Sequence, residues 1–167
     1  PFGEYLPLES VLRGAIDFFN LPMSSFSKGA SEQVPMQAAG VAIGNAICYE
    51  IIYPQLVAQR AADSGVIVTV SNDTWFGASI GPHQHLQMAR LRALENGRYV
   101  VRATSNGITA IINPRGELVD RAPQFETTYL TGEFYAMEGL TPFNRMGSLP
   151  IWLLAGLFLL PGFVRRR

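Results

Sequence analysis

The sequence predicts an α/β fold with helices layered on a sheet. Three observations carry that expectation. Residues 41–48 and 66–71 are small, apolar or β-branched runs that read as core strands. Helix-compatible runs at 54–64 and 83–97 alternate with them. A turn sequence, Asn113-Pro114-Arg115-Gly116, then joins two short stretches as a hairpin.

Taken in order, residues 1–10 read as a loop with an acid, Glu4, at its centre. Residues 11–20 fit a short helix with Leu12, Ala15, Ile16 and Phe19 on one face. Residues 21–39, rich in Ser, Gly, Pro and Gln, read as loop with room for an edge strand. The strand at 41–48 follows. Pro54 suits the first turn of a helix that runs to Ser64, and Gly65 suits its C-terminal cap. The strand at 66–71 is expected to be buried on both faces.

Residues 72–82 read as a loop holding Trp75 and Phe76 before Gly77. The run 83–97 carries Leu86, Ala89, Leu91, Ala93 and Leu94 and predicts a helix of about four turns closed by Gly97. Strands are expected at 99–104 and 107–113, with 117–121 returning after the hairpin turn, and a last strand at 129–135. No internal repeat or low-complexity segment interrupts this order.

With 167 residues the chain is long enough to bury a core. Only 16% of residues are charged, the formal net charge is zero, and no basic stripe runs through the body of the chain. That balance excludes an electrostatic case for nucleic acid. A single cysteine excludes an internal disulfide and a cysteine-rich metal site. His83 and His85 have no cysteine partner nearby, so they read as residues at a helix start, and no metal is expected. Arg90, Arg92 and Arg98 read as helix-surface or interior ion-pair groups, with a lipid phosphate as an alternative partner for one of them.

The C-terminal stretch 149–164 is uncharged and ends in Arg165, Arg166 and Arg167. As a helix it spans roughly 24 Å, and residues 146–164 together fall within the ~17–25 that cross a bilayer. Trp152 suits an interfacial anchor and the arginines suit the cytoplasmic side. A transmembrane helix at 146–167 is therefore expected, following a domain at 1–145 that lies on the opposite, periplasmic face. A buried core helix with a solvated basic tail is the alternative. The opening Pro1-Phe2-Gly3 reads as the interior of something longer, so the chain is expected to be a C-terminal fragment.

Cys48 is the candidate nucleophile. A strand delivers it to a strand-to-helix turn, Cys48-Tyr49-Glu50, which is a way to aim a thiol at a pocket. Read locally, the same cysteine also fits a small buried hydrophobe. Glu50 likewise fits a helix-start acid, and Trp75 and Phe76 fit core aromatics.

Five motifs weigh against the bland readings. Pro1-Phe2-Gly3-Glu4-Tyr5-Leu6-Pro7, Cys48-Tyr49-Glu50, Ser71-Asn72-Asp73-Thr74-Trp75-Phe76-Gly77, Arg92-Ala93-Leu94-Glu95-Asn96-Gly97-Arg98 and Asn113-Pro114-Arg115-Gly116 occur in this order. Together the chain resembles the nitrilase, or carbon–nitrogen hydrolase, superfamily. Within it, the Cys-Tyr-Glu and Asn-Asp-Thr-Trp-Phe-Gly motifs and the basic-tailed apolar end resemble the bacterial apolipoprotein N-acyltransferase family.

The resemblance implies part of an αββα sandwich and a Glu–Lys–Cys triad, of which only the cysteine maps here, onto Cys48. The family's lysine and base lie upstream of the first motif, and Lys28 falls in the wrong place, so this stretch alone is expected to be inactive and unstable. Glu4 matches the additional active-site glutamate. Tyr49 is expected to offer its N–H to an oxyanion, Glu50 to assist nearby, and Phe2, Trp75 and Phe76 to wall an acyl-chain pocket. The implied activity moves a fatty acyl chain from a phospholipid, through a Cys48 thioester, to the N-terminal amine of a diacylglyceryl-modified apolipoprotein. The setting implied is the bacterial inner membrane, in a multi-pass parent, with no metal or organic cofactor. A soluble amidase- or nitrilase-type hydrolase and a non-catalytic membrane-anchored module are the alternatives.

Overall fold

Three parallel strands, the first two each followed by a short turn and a helix that crosses to the next, organise the fold. The computed structural model describes residues 29–30 and 32–164. Contacts divide the chain into units 1–34 and 35–167, and the second is described here. Glu4, Phe2, Lys28 and the helix expected at 11–20 lie outside the described residues.

The unit holds one sheet of six strands: β1 (Met36–Ala38), β2 (Val41–Ile47), β3 (Val66–Asn72), β4 (Tyr99–Ser105), β5 (Ala110–Ile112) and β6 (Leu118–Arg121). They lie in sequence order across the sheet. β2, β3 and β4 pair in parallel, with Asn45 opposite Val68 and Val68 opposite Val101. β1 is an antiparallel edge strand on β2, and β5 and β6 extend the other side antiparallel.

Helices α1 (Pro54–Ala62) and α2 (Gly81–Asn96) supply the crossovers between the parallel strands. The core forms where they meet the sheet, from Ile51, Val57, Leu86 and Ala89 above Ala46, Ile67, Val100 and Ile112. Each large aliphatic so buried stabilises the fold by about 1.5–3 kcal/mol. The opposite face of β3 is less covered: Val66 is buried, Val68 half-buried and Val70 exposed. The expectation that 66–71 is buried on both faces therefore holds only at the start of the strand. This is one α-layer on one sheet, half of an αββα arrangement.

Several expectations shift in detail. β2 ends at Ile47, so Cys48 opens a 3-10 turn (Cys48–Ile52) instead of closing the strand. Gly97 caps α2 in the left-handed region (φ 59°), as its sequence position predicts. Asp63, not Gly65, closes α1, and Gly65 instead donates its N–H to Ala42 O. The buried stripe of α2 is Pro82, His85, Leu86, Ala89, Arg92, Ala93 and Asn96. Leu91 and Leu94 are about half exposed, because a step of 100° per residue rotates them off the stripe that Ala89 and Ala93 define.

The strand expected at 129–135 does not form. The segment runs across the strands rather than along one: Gly132 faces Ile111 of β5, Phe134 and Tyr135 lean on Tyr99 of β4, and Met137 N donates to Gly65 O ahead of β3. A backbone crossing a sheet at an angle cannot continue a ladder, whatever its β-propensity.

The expected C-terminal helix is broken. Helix α3 (Pro142–Met146) begins at an N-cap, Thr141, whose Oγ accepts from Asn144 N and donates to Glu95 O. Asn144 Nδ2 donates to Asn96 Oδ1, so α3 is docked on α2. Gly147 (φ 56°) and Ser148 then turn the chain into α4 (Leu149–Val164). Met146 thus belongs to the docked helix and adds nothing to the apolar one. Among the described residues no helix is long and apolar enough to cross a membrane. α4 has 16 residues and its side chains at 151–159 are all exposed.

Candidate active site

The turn after β2 carries the chemistry. Cys48 adopts φ +51°, a left-handed conformation that a residue with a Cβ takes at a cost of about 1–3 kcal/mol. The thiol is free and half-buried, outside the core cluster, so the reading as a packed hydrophobe fails. A strained residue between a core strand and a 3-10 turn is held by its surroundings, and those surroundings are specific.

On one side, Glu50 braces the turn. Its carboxylate accepts from the Ile47 N–H (2.9 Å) and takes a two-point ion pair from Arg60 (2.5 and 3.1 Å). Arg60 Nη1 also donates to Asn45 O at 2.8 Å, which ties α1 to the end of β2. Burial works to raise the Glu50 carboxyl, but the Arg60 guanidinium and the Ile47 N–H hold it below the ordinary carboxylate value. Glu50 is therefore an ionised strut in this structure.

On the other side lies a buried polar cluster. Asp73, at the end of β3, receives a hydrogen bond from Ser71 Oγ (2.6 Å) and an ion pair from Arg102 Nη2 of β4 (2.7 Å). His85 of α2 sets Nδ1 3.0 Å from Asp73 Oδ1 and Nε2 3.3 Å from the carbonyl oxygen of Cys48. Asp73, His85 and Arg102 are 0%, 5% and 1% exposed. Burial works to raise the Asp73 carboxyl, and the His85 and Ser71 hydrogen bonds with the Arg102 charge bring it net below its ordinary value. Burial lowers the Arg102 guanidinium, opposed by the ion pair with Asp73. Gly107 closes the cluster: a Cβ there would collide with the Asp73 carboxylate.

Of the expected site residues, Cys48, Tyr49 and Glu50 share this turn. The Tyr49 ring stacks edge-on against Tyr53 (6.2 Å) and lies 6.5 Å from the His85 ring. Trp75 and Phe76 form a one-turn 3-10 segment (Thr74–Phe76) directly after Asp73. Trp75 is 88% exposed, while Phe76 lies against Gly81. Neither is a core aromatic. Arg92 and Arg98 are buried, the first on Glu95 and Ile52 O and the second on Ser64 O and Gly139 O, while the half-buried Arg90 donates to Gly116 O and Gln87 Oε1. A cavity lined by His83, Ile108, Arg121 and Gln124 includes none of the expected site residues.

His85 and Arg102 escape a reading by motif. One signal was present: an arginine inside the apolar strand 99–105 cannot be buried without a partner, and Asp73 is the acid available to it.

Residues 9–138 match the family model described as carbon-nitrogen hydrolase. The chain is 53% identical over 167 residues to the apolipoprotein N-acyltransferase of Pseudomonas paraeruginosa, covering all of this chain and 33% of that protein. It is 54% identical over 159 residues to the apolipoprotein N-acyltransferase of Pseudomonas putida, covering 95% of this chain and 32% of that protein. The chain thus spans about a third of the length of the curated relatives it matches. The crystal structure of a carbon–nitrogen hydrolase from Helicobacter pylori superposes with a TM-score of 0.53 at 14% identity, over 59% of this chain and 42% of the other, a likeness of fold. Because that family model matches most of its length, the chain belongs to the carbon–nitrogen hydrolase family.

Proposed function

We propose that the protein containing this chain is a phospholipid:apolipoprotein N-acyltransferase, with Cys48 as the acylated nucleophile. The observation that carries the reading is the left-handed Cys48 turn, buttressed on both sides, in a chain more than half identical to proteins of that name. In the first half-reaction the Cys48 sulfur attacks the ester carbonyl of a phospholipid. The tetrahedral oxyanion collapses, the C–O bond breaks, and a lysophospholipid leaves with the proton the thiol gave up. In the second, the α-amine of a diacylglyceryl-cysteine attacks the thioester, forming the amide and returning the thiol.

A free thiol, with a pKa of about 8.5, is mostly protonated at neutral pH, so a base and a cation must assist. The family resemblance implies a glutamate and a lysine for these tasks, neither carried by the motifs here, with Glu4 as a further active-site acid. The N–H groups at the start of a helical turn have no acceptor within it, which suits the Tyr49 N–H to the oxyanion. Losing such a donor costs about 100- to 1000-fold. Glu50 serves by holding the turn. Trp75 and Phe76 wall the acyl chain, and a dry wall of that kind protects the thioester from water.

The exposed apolar side chains of α4 support a membrane anchor, with Arg165–Arg167 at the cytoplasmic head groups and the catalytic domain on the periplasmic side of the bacterial inner membrane. At about 1.5 Å per residue α4 reaches roughly 24 Å, so full crossing draws on flanking residues or local thinning.

The direct test incubates the full-length protein with a chain-labelled phospholipid and a diacylglyceryl-cysteine peptide. The expected products are labelled N-acyl peptide and lysophospholipid. Labelled free fatty acid with no acylated peptide would identify a hydrolase instead. Trp75→Ala is expected to lower kcat/KM for acyl-enzyme formation by about 10- to 100-fold, from about 1.5–3 kcal/mol of lost apolar contact. An unchanged rate would remove Trp75 from the acyl pocket.

A further inference from the structure

The proposed mechanism leaves the cluster beneath the nucleophile without a role, and its geometry is directed at one atom. A carbonyl oxygen only accepts hydrogen bonds, so the contact of His85 Nε2 with Cys48 O at 3.3 Å requires the hydrogen on Nε2. The other ring nitrogen lies between Asp73 Oδ1 at 3.0 Å and Arg102 Nη2 at 3.1 Å, donating to the carboxylate when it carries a hydrogen and accepting from the guanidinium when it does not. Arg102 in turn reaches Ile108 O through Nε, and Asp73 N donates to Ser105 O. The ring therefore has no freedom to turn. It joins the ends of β3 and β4 to the backbone of the residue that must hold a left-handed φ.

We propose that His85 is the positioning residue of the nucleophile: its Nε2–H holds the Cys48 carbonyl, and Asp73 and Arg102 hold the imidazole. The inference rests on Cys48 being the nucleophile and extends it to the element that aims the thiol. A hydrogen bond to the carbonyl constrains the peptide that follows Cys48, and so also the Tyr49 N–H offered to the oxyanion. Loss of the tether lets the turn relax toward ordinary φ values, displacing sulfur and donor together. Displacements on the order of 1 Å in reacting groups cost up to about 100-fold in rate.

The test compares His85→Gln with His85→Asn in the full-length protein. A glutamine amide reaches about as far as imidazole Nε2 and donates to Cys48 O. An asparagine amide reaches only the Nδ1 position and meets Asp73. The first readout is the rate of Cys48 alkylation by iodoacetamide, mapped on its peptide by mass, and the second is kcat and KM for acylation by a phospholipid. Thermal melting monitors folding. His85→Asn is expected to slow alkylation about tenfold and to lower kcat about 10- to 100-fold with KM nearly unchanged, while His85→Gln recovers to within about threefold of wild type. If both variants match wild type, or both fall together in step with melting temperature, His85 merely fills space and the proposal is overturned. Alkylation needs no acyl donor, so the series still decides the role of His85 if wild-type protein transfers no acyl group.

Discussion

Asp73→Ala is expected to destabilise the catalytic domain by about 3–5 kcal/mol, the usual cost of removing one partner from a buried ion pair. Arg102 would keep its charge in a buried site, with Nη1 already lacking a partner among the described residues. Ser71 Oγ would lose its acceptor in the same step, and His85 Nδ1 one of the two charged groups beside it. Asp73→Asn retains an acceptor and should cost less. Chemical denaturation of the full-length protein reads both, and a loss below about 1 kcal/mol for Asp73→Ala would show that the cluster is not the keystone of the strand ends. The same network sets an acid limit. The Asp73 and Glu50 carboxyls lie below their ordinary values, so the folded state binds their protons less readily than the unfolded chain. Their stabilisation is present above the ordinary carboxylate range, near pH 4, and is lost as pH falls through the lower folded values.

Cys48→Ala is expected to abolish acyl transfer, by on the order of 10⁵-fold or more, because covalent catalysis collapses without its nucleophile. Stability should change little. The side chain is half-buried and outside the core cluster, and alanine meets the same left-handed φ penalty as cysteine. Cys48→Gly removes that penalty and is expected to melt higher than Cys48→Ala, the stored strain being a feature of the working turn.

What the sequence made legible was local. The β-branched run of β3, the proline at the head of α1, the Gly97 cap and the Asn113–Gly116 turn each encode their structure within a few residues, and all formed where expected. The Cys48 turn was legible because a strand and a helix signal meet there. The polar cluster was not: Asp73, His85 and Arg102 are separated by 12 and 17 residues and come together only through the sheet register and the packing of α2. The segment at 129–135 misled because strand propensity does not report the angle at which a chain crosses a sheet. The apolar C-terminus misled in length, since hydropathy counts Met146 and Gly147 alike while Gly147 turns the backbone between two helices.

Cys48 carries the acyl chain in the proposed reaction. That role is tested most directly by the intact mass of the full-length protein after incubation with a phospholipid, beside its Cys48→Ala variant. The expected result is a gain of one fatty acyl group, released by hydroxylamine and absent from the variant. A folded wild-type protein that gains no mass, or a variant that gains the same adduct, would contradict it.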